Sequence, residues 1–166
     1  IYAIEKGIPN YKYMHMNSFS LRVHKIIWEY DNYSKTKGQH INGHSILMRW
    51  TFWKTAVNII KQNFFFGVGT GDVQDAFNQQ YETEKSPLLK KNRMRGHNQY
   101  LTYGVSFGLI GLIYFLFCFT YPFIKMQLYK NYQYLAFFSI MLLSMLTEDT
   151  LETQVGATFF MFFNSL

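Results

Sequence analysis

Residues Gly104–Ile124, GVSFGLIGLIYFLFCFTYPFI, decide what kind of molecule this is. The 21 residues carry no charge, and the uncharged window already opens at Gly96. A bilayer's hydrocarbon is crossed by roughly 20 apolar residues in helical form, so this stretch reads as a transmembrane helix over 104–124. Downstream, Tyr132–Leu146 (YQYLAFFSIMLLSML) is shorter, but its tyrosines suit the headgroup level, and a second span is expected over 132–147. A third apolar run, Val155–Leu166, follows the polar TEDTLE; residues 148–166 read as a turn and the start of a truncated third span. The chain opens on Ile1 without an initiator methionine or a signal-peptide pattern, which suggests an internal piece of a longer protein. The expected fold class is all-α: a multi-pass membrane protein fragment in which a helical loop region, residues 1–103, is followed by two to three transmembrane helices.

Charge is distributed as unevenly as hydropathy. Residues 1–103 hold 14 of the 16 lysines and arginines against seven acidic residues, and the overall charge is +6. The mean hydropathy near zero averages two unlike halves. Lys125 and Lys130 lie in the short connection 125–131, where the positive-inside rule operates, so that connection is expected in the cytoplasm. Residues 1–103 and TEDTLE then share the opposite side of the membrane. A basic segment tied into a membrane suits anionic lipid headgroups, and nucleic acid is a poor alternative partner. The lone Cys118 offers neither a disulfide framework nor a metal cluster, and no cofactor is implied.

Within the loop region, SFSLRVHKIIWEY predicts a short amphipathic helix capped by Ser18 or Ser20, and DNYSKTKGQHINGH reads as a loop. In HSILMRWTFWKTAVNIIKQN, residues Ile46, Trp50, Trp53, Val57 and Ile60 recur at spacings of four, three, four and three, so they predict the apolar face of a helix. Arg49 stands one residue off that face. Its ordinary role would be to lay its stem on apolar surface with the head in water. Gly67, Gly69 and Gly71 alternate before Asp72, and Asp72 to Asp75 are placed to cap the helix of VQDAFNQQYETE. No Gly-Lys-Ser/Thr follows, so a nucleotide loop is excluded and a tight turn is expected. Gly104 and Gly108 form Gly-x-x-x-Gly on the span, which predicts close packing against helices outside this sequence.

A run of cations, Lys85 to Arg95, leads directly into His97 at the mouth of the span. Imidazole exchanges protons near neutral pH and is suited to take one from a sugar hydroxyl. Guanidinium stays charged and grips phosphate oxygens bidentately, which suits a diphosphate leaving group. One imidazole and arginine clamps are therefore enough for glycosyl transfer from a lipid diphosphate, without a metal. The plainer account is that His97 only anchors a helix end at the headgroups. In TEDTLE, Asp149 and Glu152 stand at capping-box spacing, the preferred reading. The alternative is that Glu148 or Asp149 orients an arginine or an acceptor hydroxyl, since carboxylates so near hydrocarbon seldom lack a partner.

Arg49 with Trp50 and Trp53, the Gly67-x-Gly69-x-Gly71 turn, and His97-Asn98-x-x-Leu101 before a glycine-rich span occur in an order that resembles the O-antigen ligase family. The resemblance covers residues 44–166, and TEDTLETQVGATFFMFFNSL is similar to the next periplasmic turn and helix in Bacteroidetes-like members. It implies an inverting, metal-independent glycosyltransferase acting on an undecaprenyl-diphosphate-linked glycan. The acceptor would be lipid A core, with a growing glycan (polymerase) or a protein hydroxyl as alternatives. It implies catalytic roles for His97 and Arg49. Arg93, Arg95 and Asn98 are further substrate-binding candidates, with Glu148 and Asp149 secondary. The competing class is a non-catalytic anchor or transporter segment whose basic loop binds membrane lipids.

Overall fold

The computed structural model describes residues 17–35 and 41–165. The expected loop over 31–44 falls partly on 36–40, outside them. Every regular element among the described residues is helical: α1 (Ser18–Lys35), α2 (Ser45–Gln62), α3 (Val73–Thr83), α4 (Gln99–Lys125), α5 (Tyr132–Thr147) and α6 (Gln154–Asn164). Single 3-10 turns occupy Lys90–Asn92, Leu128–Lys130 and Thr150–Glu152. The all-α expectation holds. Among the described residues only α4 is long and apolar enough to cross a membrane, while α5 and α6 are apolar but shorter.

The chain divides into two compact units. The first takes the described residues up to Met48 together with Pro87–Leu89. Its helix α1 overruns the expected loop by continuing through Asp31–Lys35, and its cap is Asn17, whose side chain accepts from the Ser20 N–H at 2.8 Å, in place of Ser18 or Ser20. Asn42 ties the unit's separated pieces: its amide donates to Pro87 O at 3.0 Å and accepts from Leu89 N–H at 2.9 Å.

In the second unit, α2 forms where the 3.6-residue periodicity predicts a helix, but the periodic stripe is not what it buries. Phe52, Thr55, Ala56 and Ile59 are buried, whereas Trp50 is 63% exposed and Val57 is also exposed. Two apolar faces compete on this helix, and the aromatic core of α3 selects the one with smaller side chains. α3 contributes Val73, Phe77 and Tyr81 at four-residue intervals, all buried. Asp72 stands at its N-cap position without a side-chain capping bond. At its other end Glu84 clamps α2: its carboxylate accepts from Asn58 Nδ2 at 2.7 Å, Gln80 Nε2 at 2.8 Å and Thr55 Oγ1 at 3.0 Å.

The span itself is interrupted. Gly108 adopts φ 67°, ψ −166°, a positive-φ conformation that favours glycine, so α4 is two helical segments joined at this residue. The break frees carbonyls on one side and N–H groups on the other, and the Phe64–Gly69 turn takes up two of each. Val68 N–H donates to Val105 O at 2.8 Å and Gly69 N–H to Ser106 O at 2.9 Å. Leu109 N–H donates to Phe64 O at 2.8 Å and Ile110 N–H to Phe65 O at 3.4 Å. Two glycines permit the approach: a Cβ on Gly67 would lie 2.5 Å from the Ser106 main chain, and one on Gly108 would lie 2.4 Å from the Phe65 main chain. The expected Gly-x-x-x-Gly partner is therefore found within this sequence. Gly108 receives this turn, and Gly104 receives the Ile60 side chain.

α4, α5 and α6 pack through an aromatic core around Phe119, Phe137, Phe138 and Met141. Phe123 stacks on Phe138 with centroids 4.1 Å apart, and Phe137 on Phe163 at 4.6 Å. Lipid tails are as apolar as these side chains, so what favours the contact in a bilayer is close packing and ring stacking, each pair worth about 0.5–1.5 kcal/mol.

Candidate functional site

Arg49 lies in the first turns of α2, His97 in the residue before the cap of α4, and Glu148 at the end of α5. The structure brings all three together. Arg49 Nη1 donates to Thr147 O at 2.8 Å, and its Nη2 to Glu148 Oε1 at 2.7 Å. The other carboxylate oxygen, Oε2, lies 3.4 Å from His97 Nδ1. One carboxylate thus stands between a guanidinium and an imidazole. Arg49 and His97 side chains are about one-third exposed and Glu148 half, so the cluster opens to the outside on one side.

Several contacts hold His97 in place. Its φ of 45° is left-handed, a conformation uncommon for a residue with a side chain and tolerated better by His than by most. Trp53 Nε1 donates to the preceding carbonyl, Gly96 O, at 2.9 Å. The ring rests 6.0 Å from Phe52, and Nε2 faces Met94 Sδ at 3.4 Å. A proton on Nδ1, directed at Glu148, leaves Nε2 as the basic nitrogen. Asn98 follows as the helix cap, its oxygen accepting from Leu101 N–H at 3.1 Å.

Glu148 is positioned by a latch between the first turn of α4 and the end of α5. Asn98 Nδ2 donates to Leu146 O at 2.9 Å and the Tyr100 hydroxyl to Leu142 O at 3.1 Å. Gln99 Oε1 accepts from Leu151 N–H at 2.8 Å, and the Thr102 hydroxyl donates to Asp149 Oδ1 at 2.6 Å. These bonds overturn the capping-box reading. Asp149 is buried against Thr102 and makes no side-chain cap, while Glu152 pairs with Arg95 Nη1 at 3.0 Å. The cap of α6 is Thr153, whose hydroxyl accepts from Gly156 N–H at 3.1 Å. Local spacing favoured a bond within three residues; a hydroxyl 47 residues away in sequence competes better because it is buried with the carboxylate.

The remaining cations sort by partner. Arg93 is mostly buried, pairs with Glu82 at 3.4 Å and lies over the Tyr81 ring, whose hydroxyl donates to Met94 O at 2.8 Å. Burial, then the Glu84 charge, push the Tyr81 hydroxyl well above its ordinary value against the pull of Arg93, so it stays a donor here. Arg95 faces Glu152, and Asn98 is enclosed by its own backbone partners. Thr102, Gln99 and Trp53 were not singled out beforehand as site residues. The available signal was the cluster of polar side chains in the first turn of an otherwise apolar helix.

The exposed stripe of α2 is not idle surface. Trp50, Trp53 and Val57, with Lys54, Lys61 and Leu146, line a groove of about 580 Å³ immediately beside Arg49 and Thr147. No group of three or more His, Cys, Asp or Glu side chains able to hold a metal ion occurs among the described residues.

No curated protein and no solved structure matches the chain. The family described as O-Antigen ligase matches residues 8–116, well over half of it, including Arg49 and His97 and ending before Glu148. A helix fit to cross a membrane, a polar cluster at its mouth and this match agree, and the chain belongs to the O-antigen ligase family.

Proposed function

We propose that this chain carries the transfer site of an inverting, metal-independent glycosyltransferase that moves a glycan from undecaprenyl diphosphate to a sugar hydroxyl of lipid A core. The observation that carries the reading is the convergence of Arg49 and His97 on Glu148. His97 Nε2 takes the proton of the acceptor hydroxyl as its oxygen attacks the anomeric carbon. The bond from that carbon to the diphosphate oxygen breaks, its electron pair leaves with the diphosphate, and attack from the opposite face inverts the centre. Glu148 holds the Nδ1 proton and stabilises the imidazolium, the part a carboxylate plays behind a histidine base. Of the five N–H donors of a guanidinium, Arg49 commits one to Thr147 and one to Glu148, and the others are free for phosphate oxygens whose charge grows as the bond breaks. The Trp50–Val57 groove, apolar with two lysines, suits the isoprenoid next to its diphosphate. In this reading the cluster faces the periplasm.

The test is transfer from an undecaprenyl-diphosphate glycan in membranes carrying the full-length protein at matched abundance. His97→Ala and Glu148→Gln are each expected to lower the rate, His97→Ala by about 10²–10⁴-fold as for loss of a general base. Arg49→Lys should fail to rescue Arg49→Ala, because one ammonium cannot serve Thr147, Glu148 and a phosphate in a fixed plane. Unchanged transfer in His97→Ala would return the residue to a helix-end role. A knockout that accumulates uncapped lipid A core supports ligation; core bearing a single repeat, or unmodified glycoprotein, would move the acceptor to glycan or protein.

A further inference from the structure

The turn that seals the broken span carries three consecutive phenylalanines, Phe64, Phe65 and Phe66, and they point away from the protein: Phe65 is 62% and Phe66 79% exposed. Three large apolar side chains at one exposed turn tip are unlike the scattered surface hydrophobics of a soluble domain.

Their depth follows from their partners. Lys125 ends α4, and a lysine at a span's end marks the edge of the hydrocarbon. Counting back from it at about 1.5 Å per residue, a hydrocarbon core of roughly 30 Å reaches about 20 residues, close to Val105. Gly108, whose flanking peptides bond Phe64 and Phe65, is inside that limit. The pairing itself points the same way. In water the carbonyls and N–H groups freed by a helix break find solvent, whereas in hydrocarbon each unpaired group costs several kcal/mol. Here Val105, Ser106, Leu109 and Ile110 are each paired by the turn. The neighbouring exposed side chains of α4, Phe107 and Ile110, extend the same apolar band.

We propose that Phe64–Phe66 is a re-entrant tip seated in bilayer hydrocarbon, with lipid acyl chains as its partner, so that the α2–α3 region is anchored by its own turn as well as by α4. The proposal rests on the span and not on the transfer reaction.

The full-length protein in phosphatidylethanolamine–phosphatidylglycerol vesicles tests it. Phe66→Cys in a Cys118→Ser background carries a nitrobenzoxadiazole label, with Asp75→Cys on the exposed side of α3 as reference. The Phe66 side chain is exposed, so its replacement leaves the main-chain bonds intact. The expected result is blue-shifted emission at Phe66→Cys, quenched by nitroxide lipids labelled in the upper acyl chain and protected from aqueous iodide, with the reverse at Asp75→Cys. Iodide quenching at both positions would overturn the proposal. Protection at Phe66→Cys from nitroxide and iodide alike would also overturn it, since protein would then cover the tip. Transfer is measured separately on the same labelled samples, so loss of the anchoring idea and loss of the glycosyltransferase reading are distinguishable.

Discussion

His97 is held at φ 45°, a backbone position that suits glycine better than a residue with a side chain. Such strain costs of the order of 1–3 kcal/mol and survives where surrounding contacts enforce it. Here they are the Trp53 bond to Gly96 and the Asn98 cap. His97→Gly is therefore expected to raise the thermal midpoint above that of His97→Ala while transfer is lost in both; equal midpoints would remove the strain argument. Residue types told part of this in advance. A histidine behind a run of cations at a span's mouth, and an arginine beside tryptophans, carry their chemistry on the surface of the sequence. Glu148 was visible only as an alternative, because no local spacing announces a bond to a guanidinium 99 residues away. Asp149 misled for the same reason: its nearby cap was legible and its distant Thr102 was not.

At the scale of elements, periodicity located α2 and left its orientation open. Ile46, Trp50 and Val57 satisfy a helical stripe, and so does the buried set of Phe52, Ala56 and Ile59; which one faces the core depends on what α3 brings. The α2–α3 contact also has a pH signature. Burial of Glu84 raises its pKa, but the bonds from Asn58, Gln80 and Thr55, with Lys54 nearby, outweigh this and leave it lowered. A carboxylate with a depressed folded pKa stabilises the fold above its unfolded value, and that contribution is lost as pH falls through the folded one. Glu84→Gln should therefore be less stable than the parent at neutral pH by about 1 kcal/mol, the group being partly exposed. The gap should close as pH drops below the ordinary value of 4.5. Denaturation followed at several pH values reads this directly, and a gap that widens in acid would contradict it.

For the whole molecule, the apolar runs gave the helices of the second half and their order, while the break in α4 escaped. Gly108 read as a packing glycine because its neighbours are helix-forming, and the turn that exploits it lies some 40 residues earlier in the chain. We propose from Lys125 and Lys130 that the connection between α4 and α5 lies on the cytoplasmic side. In intact cells, in a Cys118→Ser background, an impermeant maleimide added outside the inner membrane should label Asp75→Cys and spare Tyr129→Cys in the connection between α4 and α5. Labelling of Tyr129→Cys instead would invert the topology.

The carboxylate between Arg49 and His97 arrives from beyond the residues that the family match covers. Grafting the stretch from Arg49 through α4 into a related scaffold would transplant a guanidinium and an imidazole without the carboxylate that stands between them, and on the proposed reading a chimera would be competent only if the host supplies an acid where Glu148 stands or the graft extends through Glu152. The junction chosen by a protein engineer, more than the identity of the loop, would then decide whether such a hybrid works.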